Sequence, residues 1–155
     1  MQAVKIFVGL TAAFLLVVPN AGAQDASTQP GAAAEPYEPN IGDIRAQQQE
    51  RHIKLWFAGH GGNWRLADYE VGKLKDGFDD VDKQIGGDTV EKAVGAAIGA
   101  LEKAVEAKDR DGFARAFDQL TAGCNSCHHT LDHAFIAIQR PTSSPYSNQS
   151  FAPQK

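Results

Sequence analysis

The sequence lacks a run of basic residues. Its 15 lysines and arginines are outnumbered by 19 aspartates and glutamates, which gives a formal net charge of −4 at pH 7. Proteins that bind nucleic acids or anionic membranes through charge carry clustered basic residues. The composition therefore argues against nucleic acid and against an anionic membrane surface as partners.

A long apolar run is also missing. A helix that spans a bilayer needs about 20 apolar residues, and the uncharged apolar stretch near the N-terminus, Ile6–Val18, is shorter. Lys5 precedes this stretch and small residues up to Ala23 follow it, which is the pattern of a secretory signal cut after Ala23. We expect residues 1–23 to be removed on export to the periplasm, with no membrane contact afterwards. Residues 24–40, rich in Ala, Pro and Gln, are expected to form a disordered leader.

The sequence also lacks a clear alternation of apolar and polar residues that would predict β-strands. Apolar residues recur at steps of three and four, and four helices are predicted to begin near Ile41, Asn63, Thr89 and Asp111. Gly59 is expected to stop the first helix and Pro141 to close the fourth. Because short connections favour antiparallel neighbours, the sequence predicts an all-α, antiparallel up-down-up-down four-helix bundle over residues 41–140. An irregular tail, residues 141–155, follows.

Two features of the later helices bear on what the bundle holds. The third is rich in alanine and carries Gly95 and Gly99, and small residues leave space for a bulky group. The apolar stripe of the fourth runs from Phe113 through Phe135 to Ile138. Both features predict an interior that can accommodate a cofactor beside the fourth helix.

Cysteine occurs only twice, in the segment CNSCHH. On a helix, Cys124, Cys127 and His128 lie at i, i+3 and i+4 and share one face. This is the attachment sequence of haem c, in which each thiol adds to one haem vinyl group and the histidine ligates the iron. The sequence therefore predicts one covalent haem c held by Cys124 and Cys127 with His128 as an axial ligand.

Other interpretations of the cysteine pair stay open but are weaker. A disulfide between the two cysteines suits an exported protein, yet it gives no role to the histidine that follows. A structural zinc site would recruit His129 or His133, although such sites usually gather ligands from two separate segments. A thioredoxin-like redox pair would need a βαβ context, which this sequence lacks.

An exported four-helix bundle with this motif on its last helix resembles the cytochrome c-prime and cytochrome c-556 family. The resemblance covers residues 41–140, and its specific part is Cys124, Cys127 and His128. It implies either electron transfer with a redox partner protein, which the sequence does not name, or gas binding at an open iron site. Members often dimerise through their first two helices, so a homodimer is one expectation.

The chain also differs from an ordinary member of that family. The fourth residue after the haem histidine, usually basic in the group, is Asp132, and its charge is expected to lower the reduction potential. Residues 52–59 and 63–67 are similar to a set of exported proteins with the same C-terminal motif. These differences point to a divergent branch.

The second question is which residue lies on the side of the iron opposite His128. Methionine is absent apart from Met1, inside the predicted signal, which excludes methionine as an axial ligand of the mature chain. With the fourth helix ending near Gln139, His52 is predicted at the same height as His128. We therefore expect His52 to be the second iron ligand, or a pocket residue beside an open iron. Gln48 is a weaker pocket candidate, and Trp56 is expected to pack at the haem edge.

The remaining histidines and a run of acidic residues are weaker candidates for a role at the iron. His60 lies further along the first helix, His129 points away from His128, and His133 lies further along the fourth helix, out of reach of the far side of the iron. The second helix has an acidic run that predicts a solvated face: Asp76, Asp79, Asp80 and Asp82. No nucleophile with a base and no paired carboxylates occur at useful spacing, so an enzyme is not expected. The two functions to separate are an electron carrier with two histidine ligands and a five-coordinate binder of nitric oxide or carbon monoxide.

Overall fold

The computed structural model describes residues 39–154, which form an all-α, up-down four-helix bundle, as predicted. Its helices are α1 (Ile41–Gly61), α2 (Trp64–Ile85), α3 (Thr89–Glu106) and α4 (Arg110–Thr130). Consecutive helices pack on one another, and α1 contacts α4 less extensively. Within the described range, no helix is long and apolar enough to cross a membrane. The predicted signal, residues 1–23, and the predicted leader as far as residue 38 lie outside the described residues.

Local capping explains most of the helix ends. Main-chain N–H groups of the first turns of α1, α2 and α4 donate to the side chains of Asn40, Asn63 and Asp109. Gly62 and Gly86 end α1 and α2 with φ values of 77° and 75°, a conformation that glycine adopts without a Cβ clash. The predicted stop of α1 at Gly59 is therefore two residues early, because the left-handed residue is Gly62.

The start of α3 is capped by its neighbouring helix. The carboxylate oxygens of Asp82, near the end of α2, accept hydrogen bonds from the main-chain nitrogens of Val90 and Glu91, each at 2.9 Å. This negative charge also suits the positive end of the α3 dipole. Asp82 is consequently only 8 % exposed. Its predicted place on a solvated acidic face is wrong, because its carboxylate is turned to the adjacent helix.

The prediction that α4 continues to Pro141 is also wrong. Asp132 adopts a left-handed conformation with a φ of 58°, which Asp tolerates better than most residues. The next N–H group, of His133, donates to the carbonyl of His128 at 2.7 Å, the bond that closes a Schellman-type helix end. Phe135, predicted on the buried stripe, is 82 % exposed.

Residues after α4 fold back over the bundle. We call residues 131–138 the post-helix segment; beyond it, the tail runs across α1 and α4. The guanidinium carbon of Arg140 lies 4.3 Å from the centroid of the Trp56 ring system, and Phe151 packs on Phe57 with centroids 5.6 Å apart. The tail is thus irregular but is held against the helices by specific contacts.

The core between the helices is mostly apolar. Its largest completely buried apolar side chains include Leu55, Leu74, Leu101, Phe113, Phe117 and Leu120. α3 and α4 approach closely beside this core at Gly123, where a Cβ atom would lie 2.4 Å from the carbonyl oxygen of Ala93 and 3.0 Å from Cγ1 of Val94. The position tolerates no side chain unless the two helices separate.

Gly123→Ala is therefore expected to destabilise the protein by about 1–3 kcal/mol, the usual range for overpacking a core. Gly99→Ala is the matched control, because a Cβ at this α3 glycine meets nothing within 4 Å. That variant should gain up to about 1 kcal/mol from helix propensity. Urea unfolding monitored by circular dichroism measures both. Equal midpoints for the two variants would contradict the close approach of α3 and α4.

Candidate functional site

A cavity of about 190 Å³ lies among the four helices and the post-helix segment. Most of its wall is apolar, formed by Ala46, Leu74, Phe78, Val81, Val90, Val94, Leu120, Leu131, Ile136 and Ile138. Its polar lining consists of Arg45, Gln48, Gln49, His52, Cys124, Cys127, His128 and His133. Gly95 and Gly99 do not line it, so the space does not come from the small residues from which it was predicted.

The two cysteines of CNSCHH face this cavity from the last turns of α4. Neither forms a disulfide. Burial raises the pKa of Cys124 to about 12, and the neighbouring Cys127 adds to the rise. The pKa of Cys127 is also raised, first by burial and then by the charge of Asp82. Both groups are therefore protonated thiols at neutral pH.

His128 lines the same cavity with a defined hydrogen on one ring nitrogen. Its Nδ1 lies 2.7 Å from the carbonyl oxygen of Ile136 in the post-helix segment. A carbonyl only accepts, so Nδ1 carries the hydrogen, and in the neutral ring the lone pair is on Nε2. Histidines that bind metals usually have this arrangement, in which a carbonyl or carboxylate fixes the tautomer and the orientation of the ring.

His52 also lines the cavity, and its ring is almost fully buried. It is 4 % exposed and lies on the ring of Phe117, with centroids 4.4 Å apart. Its Nε2 is 2.9 Å from Oγ1 of Thr121. That hydroxyl donates to the carbonyl of Phe117 at 2.9 Å, so it accepts from Nε2–H of His52. Burial lowers the pKa of His52 to about 4, which keeps the ring neutral.

The height predicted for His52 is wrong. Its partner Thr121 lies seven residues before His128, which is about 10 Å along the axis of α4. Equal heights were expected because α4 was taken to end near Gln139, whereas it ends at Thr130. The cavity nevertheless has both His52 and His128 in its wall.

Gln48 presents an unsatisfied polar atom in this wall. Its Oε1 is buried without a hydrogen-bond partner in the described part of the chain. Its Nε2 lies so close to Gly77 that a Cβ atom added to this glycine would be 1.7 Å from the nitrogen. Because buried polar groups are nearly always hydrogen-bonded, the amide of Gln48 has bonding capacity left for a group inside the cavity.

Trp56 lies outside the cavity wall, although it was predicted to contact the cofactor. It is 8 % exposed and its ring packs on Phe117, with centroids 5.0 Å apart. Arg140 covers it from the tail. His60 stacks on the same ring at 5.1 Å and is exposed. Trp56 and His52 thus both pack on Phe117.

Arg45 and His133 belong to the cavity wall and were not predicted there. Nη1 of Arg45 lies 3.5 Å from Nε2 of His133. His133 was placed out of reach on the assumption that it continues α4, and the helix ends before it. The signal for Arg45 was its position two helical turns before His52, on the same face of α1. His129 is exposed and absent from the wall, in line with its predicted role as a bystander.

In the part of the chain that the structure describes, no group of three or more His, Cys, Asp or Glu side chains is arranged to hold a metal ion. A zinc site built from the CNSCHH segment therefore has no support from this geometry. The arrangement instead combines two thiols and one imidazole lone pair at the wall of an apolar cavity.

The family resemblance rests on the CNSCHH motif and on a four-helix architecture. The four helices are present, and the family assignment itself stays a prediction. Comparisons of the chain with protein-family models, with curated proteins and with solved structures found no match.

Proposed function

We propose that this chain is an exported c-type cytochrome that transfers electrons to or from a redox partner protein. One haem would be held by Cys124 and Cys127, with His128 as an axial ligand. The observation that carries the proposal is that both thiols and His128, with its Nε2 lone pair, line one largely apolar cavity. The haem supplies one-electron exchange between the ferric and ferrous states of its iron.

The donor set fits this group. Each thiol would add across one vinyl double bond, forming a sulfur–carbon bond while its hydrogen goes to the other vinyl carbon, so no oxidant is required. His128 would offer Nε2 and keep its proton on Nδ1, where the carbonyl of Ile136 accepts it. Apolar walls exclude water and lower the dielectric around the site, which tunes the potential.

The residue types available in the chain also affect the reduction potential expected for the haem iron. Methionine raises the potential of haem iron, and the described chain offers none, so a low potential is expected. Asp132 contributes less than its sequence position implied, because it is exposed and water and salt screen its charge.

Covalent haem in the isolated protein is the expected result that tests the proposal. The mature chain from the exported fraction should carry the added mass of one haem, and acid–acetone extraction should leave that haem on the polypeptide. Its absorption spectrum should change reversibly on reduction. A polypeptide of unmodified mass would overturn the proposal.

Binding of nitric oxide or carbon monoxide at a five-coordinate iron is a second candidate function. One observation favours it: His52 already donates Nε2–H to Thr121. His52 could ligate through Nε2 only by giving up the bond to Thr121.

Carbon monoxide added to the same reduced sample separates the two candidates. A carrier with His52 and His128 as ligands would be low-spin when reduced, and carbon monoxide would bind only by displacing a ligand. A gas binder would be high-spin and bind carbon monoxide directly, and His52→Ala would change its spectrum little.

A further inference from the structure

Asn125, the residue after the first cysteine of the motif, clasps the post-helix segment with both ends of its amide. Its Oδ1 accepts from the main-chain nitrogen of Ile138 at 2.7 Å. Its Nδ2 donates to the carbonyl of the same residue at 2.9 Å. We call this pair of bonds the Asn125 clasp.

The clasp is one of several contacts that hold the post-helix segment, together with the bond from His133 N–H to the carbonyl of His128. Residues 134–137 are exposed, and no helix or strand forms between residues 131 and 138. Segments with little buried apolar area and no regular structure open locally at low free-energy cost. The two bonds to Ile138 therefore contribute to keeping this stretch in one conformation.

The clasp matters because it fixes the main chain next to Ile138, which includes the carbonyl group that contacts His128. The carbonyl that accepts from Nδ1 of His128 belongs to Ile136, two residues before the clasped Ile138. Asn125 and His128 both lie on α4, so the clasp ties the segment to the helix that carries the histidine. The carbonyl is thereby held over the ring it orients.

We propose that Asn125 is a positioning residue that fixes the tautomer and orientation of His128. As a consequence for the haem, which rests on the proposed function, it strengthens His128 as an iron ligand. A hydrogen bond to the outer nitrogen of a ligating histidine raises its basicity. A more basic ligand favours ferric iron, so the clasp lowers the reduction potential.

Three variants of the full-length chain test this inference. Asn125→Ala removes both bonds, and Asn125→Asp keeps the acceptor for the Ile138 nitrogen but loses the donor. Ser126→Ala is the matched control, because Ser126 is the other residue between the cysteines and is exposed. The measurements are the reduction potential of the isolated protein and the nitrogen-15 NMR spectrum of the His128 ring.

Asn125→Ala should raise the potential, shifting the ferric–ferrous equilibrium about tenfold, or about 59 mV for one electron. Ser126→Ala should match wild type. Asn125→Asp is compared by NMR alone, because its added negative charge would itself lower the potential. The NMR spectra should show the Nδ1–H form in wild type and a growing share of the Nε2–H form in the Asn125 variants wherever the ring carries no metal.

The two measurements also separate failure of this inference from failure of the proposed function. If the isolated chain carries no haem, the proposed function fails, and the NMR spectrum alone decides the role of Asn125. If haem is attached and Asn125→Ala leaves the potential at the wild-type value, the inference is overturned while the cytochrome stands. Circular dichroism of Asn125→Ala, Asn125→Asp and Ser126→Ala verifies that the compared chains are folded.

Discussion

Replacing Cys124 and Cys127 together by alanine is expected to abolish covalent haem attachment and to leave the bundle folded. The two thiols are the only groups that can form thioethers, because the chain has no other cysteine. Alanine is smaller than cysteine and keeps the helix, so α4 loses little packing. Acid–acetone extraction followed by mass spectrometry measures attachment, and far-ultraviolet circular dichroism measures the fold.

The single cysteine variants sharpen this test. Each should keep one thioether and leave one vinyl group unreacted, so its reduced absorption bands should lie between those of haem c and unmodified haem. Haem that resists extraction from the double variant would contradict the attachment site. A double variant that is unfolded without haem would instead mean that the cofactor stabilises the bundle.

The second large effect concerns stability at the interface of α1 and α2. Nη1 of Arg51 lies 3.1 Å from Oε2 of Glu70, and the side chain of Glu70 is only 2 % exposed. Removing one partner of a buried pair leaves an uncompensated charge, which costs about 3–5 kcal/mol. Because the Arg51 side chain is 26 % exposed, we expect Arg51→Ala to lower the free energy of unfolding by about 3 kcal/mol, the lower end of this range. Urea unfolding at neutral pH measures this loss.

This loss should depend on pH. Burial raises the pKa of Glu70 even with Arg51 beside it, and without Arg51 the pKa should rise further. A carboxyl group with a folded-state pKa above its unfolded-state value stabilises the fold at acid pH. This contribution disappears as the pH rises through the folded-state pKa. The deficit of Arg51→Ala should therefore be small in acid and grow toward neutral pH.

A second substitution and a surface pair serve as controls. Glu70→Gln added to Arg51→Ala removes the buried charge and should restore much of the lost stability at neutral pH. Lys75→Ala breaks an exposed pair with Glu102 and should cost less than about 1 kcal/mol. A deficit that neither acid nor Glu70→Gln relieves would show that Arg51 acts through packing rather than charge.

The four helices were predictable because the apolar period and the capping residues agree on them. The end of α4 was not, because the apolar period continues past it as far as Ile138. Two local effects override that period: the left-handed conformation of Asp132 and the side-chain bonds of Asn125 to Ile138. A pattern of hydrophobicity carries no information about either.

The same distinction separates the parts of the candidate site. Cys124, Cys127 and His128 are close in sequence, so helix geometry alone places them on one face. The level of His52 relative to His128 depended on where another helix ends, and that boundary was wrong. Asn125 and Arg45 act through an irregular segment, whose main-chain carbonyls and side chains have no periodic signal in the sequence.

The post-helix segment also sets an order of events for maturation under the proposed function. Leu131, Ile136 and Ile138 form part of the wall around both thiols, and the Asn125 clasp holds this part of the wall closed. Under the proposed function, a macrocycle would reach the sulfur atoms more easily while the segment is released. We therefore expect attachment to come before closure, so that the C-terminal stretch of the chain settles last.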